Sequence, residues 1–217
     1  MLLSSREILQ SAPVVPVLSI ADEAQAIPLA EALVEGGIPV LEVTLRTTAG
    51  LGAIRRIRDA VPGAIVGAGT VITAEQFRAA VDAGSTFVVS PGISDGLLRE
   101  AADSDVPLIP GVATVSEIMR CLDAGIDCLK FFPAEASGGA AALKAFAGPL
   151  PQVSFCPTGG ISLGNIREYL ALDSVLTVGG SWLTPGALLD ASDWAALTAL
   201  ARGTVDEVLA IREVAGA

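Results

Sequence analysis

The chain has 217 residues, 52% of them hydrophobic, which suits one domain with a large buried core. Thirteen basic against 24 acidic residues leave a net charge of −11, which repels phosphate backbones and argues against nucleic acid as a partner; a small anion can still meet a locally positive pocket. There is no histidine, so a His-ligated metal site and a histidine base are excluded, and acid–base work falls to Asp, Glu, Lys, Tyr, Cys or water.

Along the chain, Met1 to Gln10 lacks the basic and apolar regions of a signal peptide, and a short helix is predicted over Ser4–Gln10. Eight apolar, β-branched runs follow: Val14–Ile20, Val40–Leu45, Ile65–Thr70, Phe87–Pro91, Leu108–Ala113, Leu129–Pro133, Val153–Thr158 and Val175–Gly179. Their starts lie 21 to 26 residues apart, room for one strand, one helix and two short loops. Between them, Asp22, Thr73 and Thr114, each followed three residues later by Gln or Glu, fit helix N-caps, and Gly36, Gly84 and Gly125 fit helix ends. Asp193–Ala215 reads as a final helix. No apolar run reaches the ~18 residues of a membrane span. Cys121, Cys128 and Cys156 form no Cys-x-x-Cys pair and read as reduced thiols of a cytoplasmic protein.

Eight β-α units with near-continuous apolar strands predict a parallel sheet covered by helices, and eight is the number that closes. The expectation is an α/β fold, a single (β/α)8 TIM barrel over residues 1–217. An open, doubly wound sheet is the alternative, but no Gly-x-Gly-x-x-Gly follows the first strand.

In such a barrel the chemistry comes from the C-terminal ends of the strands. On the second run, alternation puts Glu42, Thr44 and Arg46 on the inward face, where charged groups are costly unless paired or used. On the sixth, Cys128, Lys130 and Phe132 face inward, while Leu129 and Phe131 face the helices. Lysine is scarce, with only Lys130 and Lys144 among the thirteen basic residues. Desolvation disfavours an ammonium, and a neutral amine attacks a carbonyl. The bland reading is a lysine that snorkels to the mouth or pairs structurally with Glu42. On the third run the same alternation places Val66, Ala68 and Thr70 inward. Cys156, inward on the seventh run, reads as packed rather than reactive. The seventh run ends Thr158-Gly-Gly160 and the eighth Gly179-Gly-Ser181, two glycine pairs that expose backbone N–H groups to one anion.

These stretches resemble the 2-keto-3-deoxy-6-phosphogluconate (KDPG) aldolase family, which includes the 4-hydroxy-2-oxoglutarate (KHG) aldolases. Leu41-Glu-Val-Thr-Leu-Arg-Thr47, Gly67-Ala-Gly-Thr70, Ser90-Pro-Gly92, Pro110-Gly-Val-Ala-Thr114, Leu129-Lys-Phe-Phe-Pro-Ala-Glu135, Phe155-Cys-Pro-Thr-Gly-Gly-Ile161 and Gly179-Gly-Ser-Trp182 run in family order over nearly the whole chain. The resemblance implies Lys130 as the Schiff-base residue and Glu42 as the general acid–base. It implies Arg46, Thr70 and Thr158 at the substrate carboxylate, Gly159, Gly160, Gly180 and Ser181 at the phosphate, and Phe132 and Pro91 in the pocket wall. It further implies a cytoplasmic homotrimer acting on a phosphorylated keto acid and pyruvate, without cofactor, metal, nucleic-acid or membrane partner. Ser154 stands where the family leads one to expect a basic residue, and Leu163 where it leads one to expect proline. A metal-dependent aldolase or decarboxylase, a non-catalytic sugar-phosphate-binding barrel and a galactonate-derived substrate are the competing readings; the first conflicts with the absence of histidine, the second with an inward Lys130 and Glu42.

Overall fold

The computed structural model describes residues 3–215. Residues 1, 2, 216 and 217, where the Met1 to Gln10 reading begins and the expected 1–217 domain begins and ends, lie outside the described residues. The strands are β1 (Val15–Leu18), β2 (Val40–Thr44), β3 (Ile65–Gly69), β4 (Val88–Val89), β5 (Leu108–Ile109), β6 (Gly111–Val112), β7 (Cys128–Phe131), β8 (Ser154–Pro157) and β9 (Gly179–Gly180). Every ladder is parallel, with one sheet in the order β5-β4-β3-β2-β1-β9 and a second in the order β6-β7-β8. The helices are α1 (Ser5–Gln10), α2 (Ala26–Glu35), α3 (Gly50–Ala60), α4 (Ala74–Asp82), α5 (Asp95–Ala102), α6 (Val115–Asp123), α7 (Gly139–Ala147), α8 (Ile166–Leu170), α9 (Gly186–Asp190) and α10 (Trp194–Ala215). This is an α/β fold with a curled parallel sheet and helices packed outside it. No described helix is long and apolar enough to cross a membrane.

Two of the eight predicted runs differ in detail. The fifth is split into β5 and β6 by Pro110, which has no amide hydrogen to give to a ladder. The run predicted over Val175–Gly179 pairs with β8 only through single bridges, Phe155 with Val175 and Thr158 with Gly179; its regular part is β9. Helix signals fare similarly. Thr114 and Glu117 form a full capping box at α6, whereas Gln76 turns past the Thr73 cap to accept from the amide of Ile72. Asp22 caps a short 3-10 turn ahead of α2. Gly84 and Gly125 take left-handed φ of +92° and +75° after their helices, but after α2 that role falls to Gly37 at +91°. Gly36 instead allows α10 to approach, since a Cβ there would stand 2.4 Å from Ala201 Cβ.

Side-chain alternation divides the buried residues into two clusters. Leu41 and Val43, Leu129 and Phe131 pack outward against the helices. Val15, Val40, Phe87, Val89, Ile109, Cys128 and Cys156 fill the concave side, together with Ile8, Leu9 and Ala12 from α1 and the turn after it. α1 therefore plugs the end of the sheet where the strands begin. Arg6 of α1 fixes it there, donating to Ser154 Oγ at 2.9 Å and pairing with Asp127 at 3.0 Å. The position of Ser154 thus meets a basic group after all, supplied from α1.

The third strand corrects the sequence reading. Val66 and Ala68 lie in the outer cluster, and it is Gly67 and Gly69, in register with Glu42 and Thr44, that face the interior. The reason is space. A Cβ at Gly67 would stand 2.6 Å from the Phe87 ring, and one at Gly69 would stand 2.3 Å from Glu42 Oε1. Thr70 escapes the alternation because its φ of +57° turns the chain.

Candidate active site

Each inward row changes character as its strand rises. Val40 is followed two residues on by Glu42, and Cys128 by Lys130. β2 and β7 thereby bring two charges 88 positions apart into contact: Lys130 Nζ lies 3.0 Å from Glu42 Oε1 and 3.3 Å from Oε2. Both residues are buried, 5% and 2% exposed, and the amine also lies 5.4 Å from the Phe132 ring centroid. Taking two charges out of water costs several kcal/mol per ion, so a lone pair at this depth is a poor device for stability alone. Its chemical use is direct: a carboxylate within hydrogen-bond reach can take a proton from the amine and leave a nucleophile.

Arg46 follows β2. Its Nε donates to Thr70 Oγ1 at 3.0 Å. A threonine in the left-handed region costs about 1–3 kcal/mol, and here that conformation carries the hydroxyl to the guanidinium. Thr158, buried at the exit of β8, bonds weakly to the carbonyl of Cys156 at 3.4 Å.

Arg46, Phe132, Thr158, Gly159, Gly160, Gly180 and Ser181 line one cavity of about 160 Å3, together with Val17 and Ile161. Seven of the expected residues are therefore brought together. Lys130 and Glu42 are not part of the cavity wall. Thr70 reaches it through Arg46, whereas Pro91 lies outside it, its carbonyl so close to Gly111 that a Cβ there would stand 2.3 Å away. Val17 and Ile161 were missed. Val17 was legible from alternation, since it is the register partner of Glu42; Ile161 merely follows the glycine pair.

Gly159 and Gly160 have φ of +99° and +81°, conformations that side-chain-bearing residues rarely adopt. The amides of Gly159, Gly160 and Ile161 donate to no acceptor among the described residues. Consecutive unpaired N–H groups on a left-handed turn make a nest for an anion. On the neighbouring strand, a Cβ at Gly180 would stand 1.7 Å from the Trp182 ring, so glycine is required there by packing. Beneath the pair, burial pushes the Cys156 thiol up to about 12 although Lys130 draws it back. It is therefore held in the thiol form, the weaker nucleophile.

Fold and site together define an aldolase of the α/β class. The aldolase family profile described as KDPG and KHG aldolase matches residues 5–200. The KHG/KDPG aldolase of Escherichia coli K12 is 53% identical over 203 residues, covering 94% of this chain and 95% of its own. The KDPG aldolase of Legionella pneumophila, solved with pyruvate captured at low pH as a covalent carbinolamine intermediate, superimposes with a TM-score of 0.90 at 47% identity, over 92% of this chain and 97% of the other. The KDPG aldolase of Zymomonas mobilis ZM4, solved with 3-phosphoglycerate, gives a TM-score of 0.85 at 50% identity, over 91% and 93%. The chain belongs to the KDPG and KHG aldolase family.

Proposed function

We propose that the protein is a class I aldolase that cleaves 2-keto-3-deoxy-6-phosphogluconate reversibly to pyruvate and glyceraldehyde 3-phosphate, and 4-hydroxy-2-oxoglutarate to pyruvate and glyoxylate. The observation that carries this reading is the buried Lys130–Glu42 contact at 3.0 Å. The covalent pyruvate adduct of the Legionella relative and the names of the relatives support it.

Glu42 takes a proton from the Lys130 ammonium, and the neutral amine adds to the C2 ketone to give a carbinolamine. Glu42 returns that proton to the carbinolamine hydroxyl, which leaves as water and gives a protonated imine, an electron sink. Glu42, directly or through a water, then removes the C4 hydroxyl proton. The C3–C4 bond breaks, its electrons flow into the imine, and an aldehyde leaves behind the enamine of pyruvate. Protonation at C3 and hydrolysis return Lys130 and release pyruvate. Arg46, with Thr70 and Thr158, holds the keto-acid carboxylate by charge-assisted contacts. The unpaired amides after β8, with Gly180 and Ser181, take the phosphate; the 3-phosphoglycerate bound by the Zymomonas relative supports an anion of this kind. Phe132, whose ring centroid lies 5.4 Å from Lys130 Nζ, flanks the reacting carbons.

The two sheets are read as one closed eight-stranded (β/α)8 barrel forming a single domain. The bond from Lys130 N to Pro110 O at 2.9 Å supports reading β5 and β6 as one interrupted strand, and the bridges from β8 to Val175 and Gly179 support an eighth position. A cytoplasmic homotrimer belongs to the same reading, supported by the family; sedimentation at three times the chain mass is the result it predicts. The activity is tested by offering KDPG to the wild-type protein and to Lys130→Met. Stoichiometric pyruvate from the first and none from the second is expected, whereas equal release from both would remove Lys130 from the mechanism.

A further inference from the structure

The glycine turn after β8 is braced from behind by a pair that the mechanism does not use. Ala134 N donates to Thr158 O at 2.8 Å and Glu135 N to Gly159 O at 3.1 Å, tying the exit of β7 to the exit of β8 at the cavity wall. The Glu135 side chain then lies under the turn, so that a Cβ at Gly160 would stand 2.4 Å from its Cγ. Its carboxylate accepts a hydrogen bond from the hydroxyl of Tyr169 on α8. Tyr169 is the one tyrosine of the chain and is fully buried. Burial, and then the Glu135 carboxylate, push its hydroxyl well above the usual range, so it remains a donor at any working pH. Asn165 Nδ2 also donates to Gly160 O at 3.0 Å, which engages the carbonyl of the turn.

We infer that Glu135, anchored by Tyr169, is a positioning residue that keeps the Gly159–Gly160 amides aimed at the phosphate end of the substrate. This rests on the aldolase reading above. The chemistry is local. A left-handed glycine pair has many accessible conformations, and an anion nest binds well only when its donors are already arranged. Glu135 restricts the turn by its main-chain bond and by the bulk of its side chain. Tyr169 in turn fixes that side chain, which is otherwise open to solvent on one side. Neither residue is close enough in sequence to the other for local structure to provide the bond, since they stand 34 positions apart. Lys130 and Glu42 themselves take part in none of these contacts.

Tyr169→Phe removes the hydroxyl and keeps the ring. KM for KDPG is expected to rise roughly three- to tenfold, the scale of one lost hydrogen bond, with kcat little changed. The same variant should cleave unphosphorylated KHG with kcat/KM within about twofold of wild type, because that substrate offers the turn no phosphate. Glu135→Ala should reproduce the effect and Glu135→Gln, which keeps an acceptor oxygen, should largely restore KM. A parallel loss on both substrates would make the pair merely structural, and an unchanged KM for KDPG in both Tyr169→Phe and Glu135→Ala would remove it from phosphate binding. Wild-type protein is run alongside: failure of that control to release pyruvate from KDPG would overturn the aldolase reading itself, whereas a working control with unaffected variants overturns only the positioning role.

Discussion

The two ends of the concave side are built from the same strands and do opposite things. Where the strands begin, Val15, Val40, Phe87, Val89, Ile109, Cys128 and Cys156 form an apolar cluster with Ile8 and Leu9 of α1, and the polar contacts of Arg6 lie at its edge. One inward step further, β2 presents Glu42 and β7 presents Lys130, and beyond them lie Arg46, Thr158 and the glycine turns. The floor is what the mouth rests on: an ion pair is tolerated at this depth because the elements that carry it are held by the cluster beneath. Inward alternation alone does not distinguish stability from chemistry; the height along the strand does.

The largest effect should come from breaking the mouth. Lys130→Met is expected to lower kcat/KM for KDPG cleavage by at least about a thousandfold, measured by pyruvate release, because the proposed mechanism has Lys130 alone form the imine. A sharper form replaces both partners, Lys130→Met with Glu42→Leu. By the balance of desolvation against attraction this double variant should be as stable as wild type or more stable by about 1–4 kcal/mol, while inactive. A large drop in its melting temperature would instead make the pair a structural element. Glu42→Gln should come next, lowering kcat by roughly 10²–10⁴-fold while still forming an imine with pyruvate, since the amide cannot relay the proton. If that variant fails to form any adduct, Glu42 is a binding residue.

Breaking the floor should do the reverse. Phe87→Ala is expected to cost about 3–5 kcal/mol in denaturant unfolding, with the imine still formed by the folded fraction. The smallest effect concerns the three buried thiols. Burial raises Cys121 to about 11 and Cys128 and Cys156 to about 12, against an ordinary value of 9.0. Above the ordinary value the unfolded chain releases these protons and the folded chain does not, so their contribution is complete below pH 9 and is lost as pH rises toward 12. Thermal midpoints recorded from pH 8 to 11 should fall, and Cys156→Ala should flatten that fall slightly.

How much of this was legible in the sequence depends on how each strand signals its faces. β2, β7 and β8 alternate large apolar groups with polar or reactive ones, so Glu42, Lys130 and Cys156 could be placed inward from the sequence, whereas Thr158 was implied by the family resemblance. β3 carries Gly67 and Gly69 on the inner face, and glycine gives alternation nothing to read; the larger Val66 and Ala68 drew the assignment to the wrong side. The spacing of the eight runs was visible because each needs a helix's length of chain to return. Their lengths were not, because Pro110 cuts one ladder and the stretch before Gly179 pairs through single bridges. The support under the glycine turn was invisible for a different reason: Glu135 and Tyr169 sit in a loop and a short helix, and only the fold brings them together.

On the proposed mechanism the buried lysine, and not the exposed one, forms the imine. The most direct measurement is reductive trapping: the protein is incubated with pyruvate and borohydride, digested, and the modified peptide located by mass spectrometry. One reduced pyruvyl adduct is expected, on Lys130 near the end of β7, and none on Lys144 of α7. An adduct on Lys144 alone, or none on a protein shown to be folded, would contradict that mechanism.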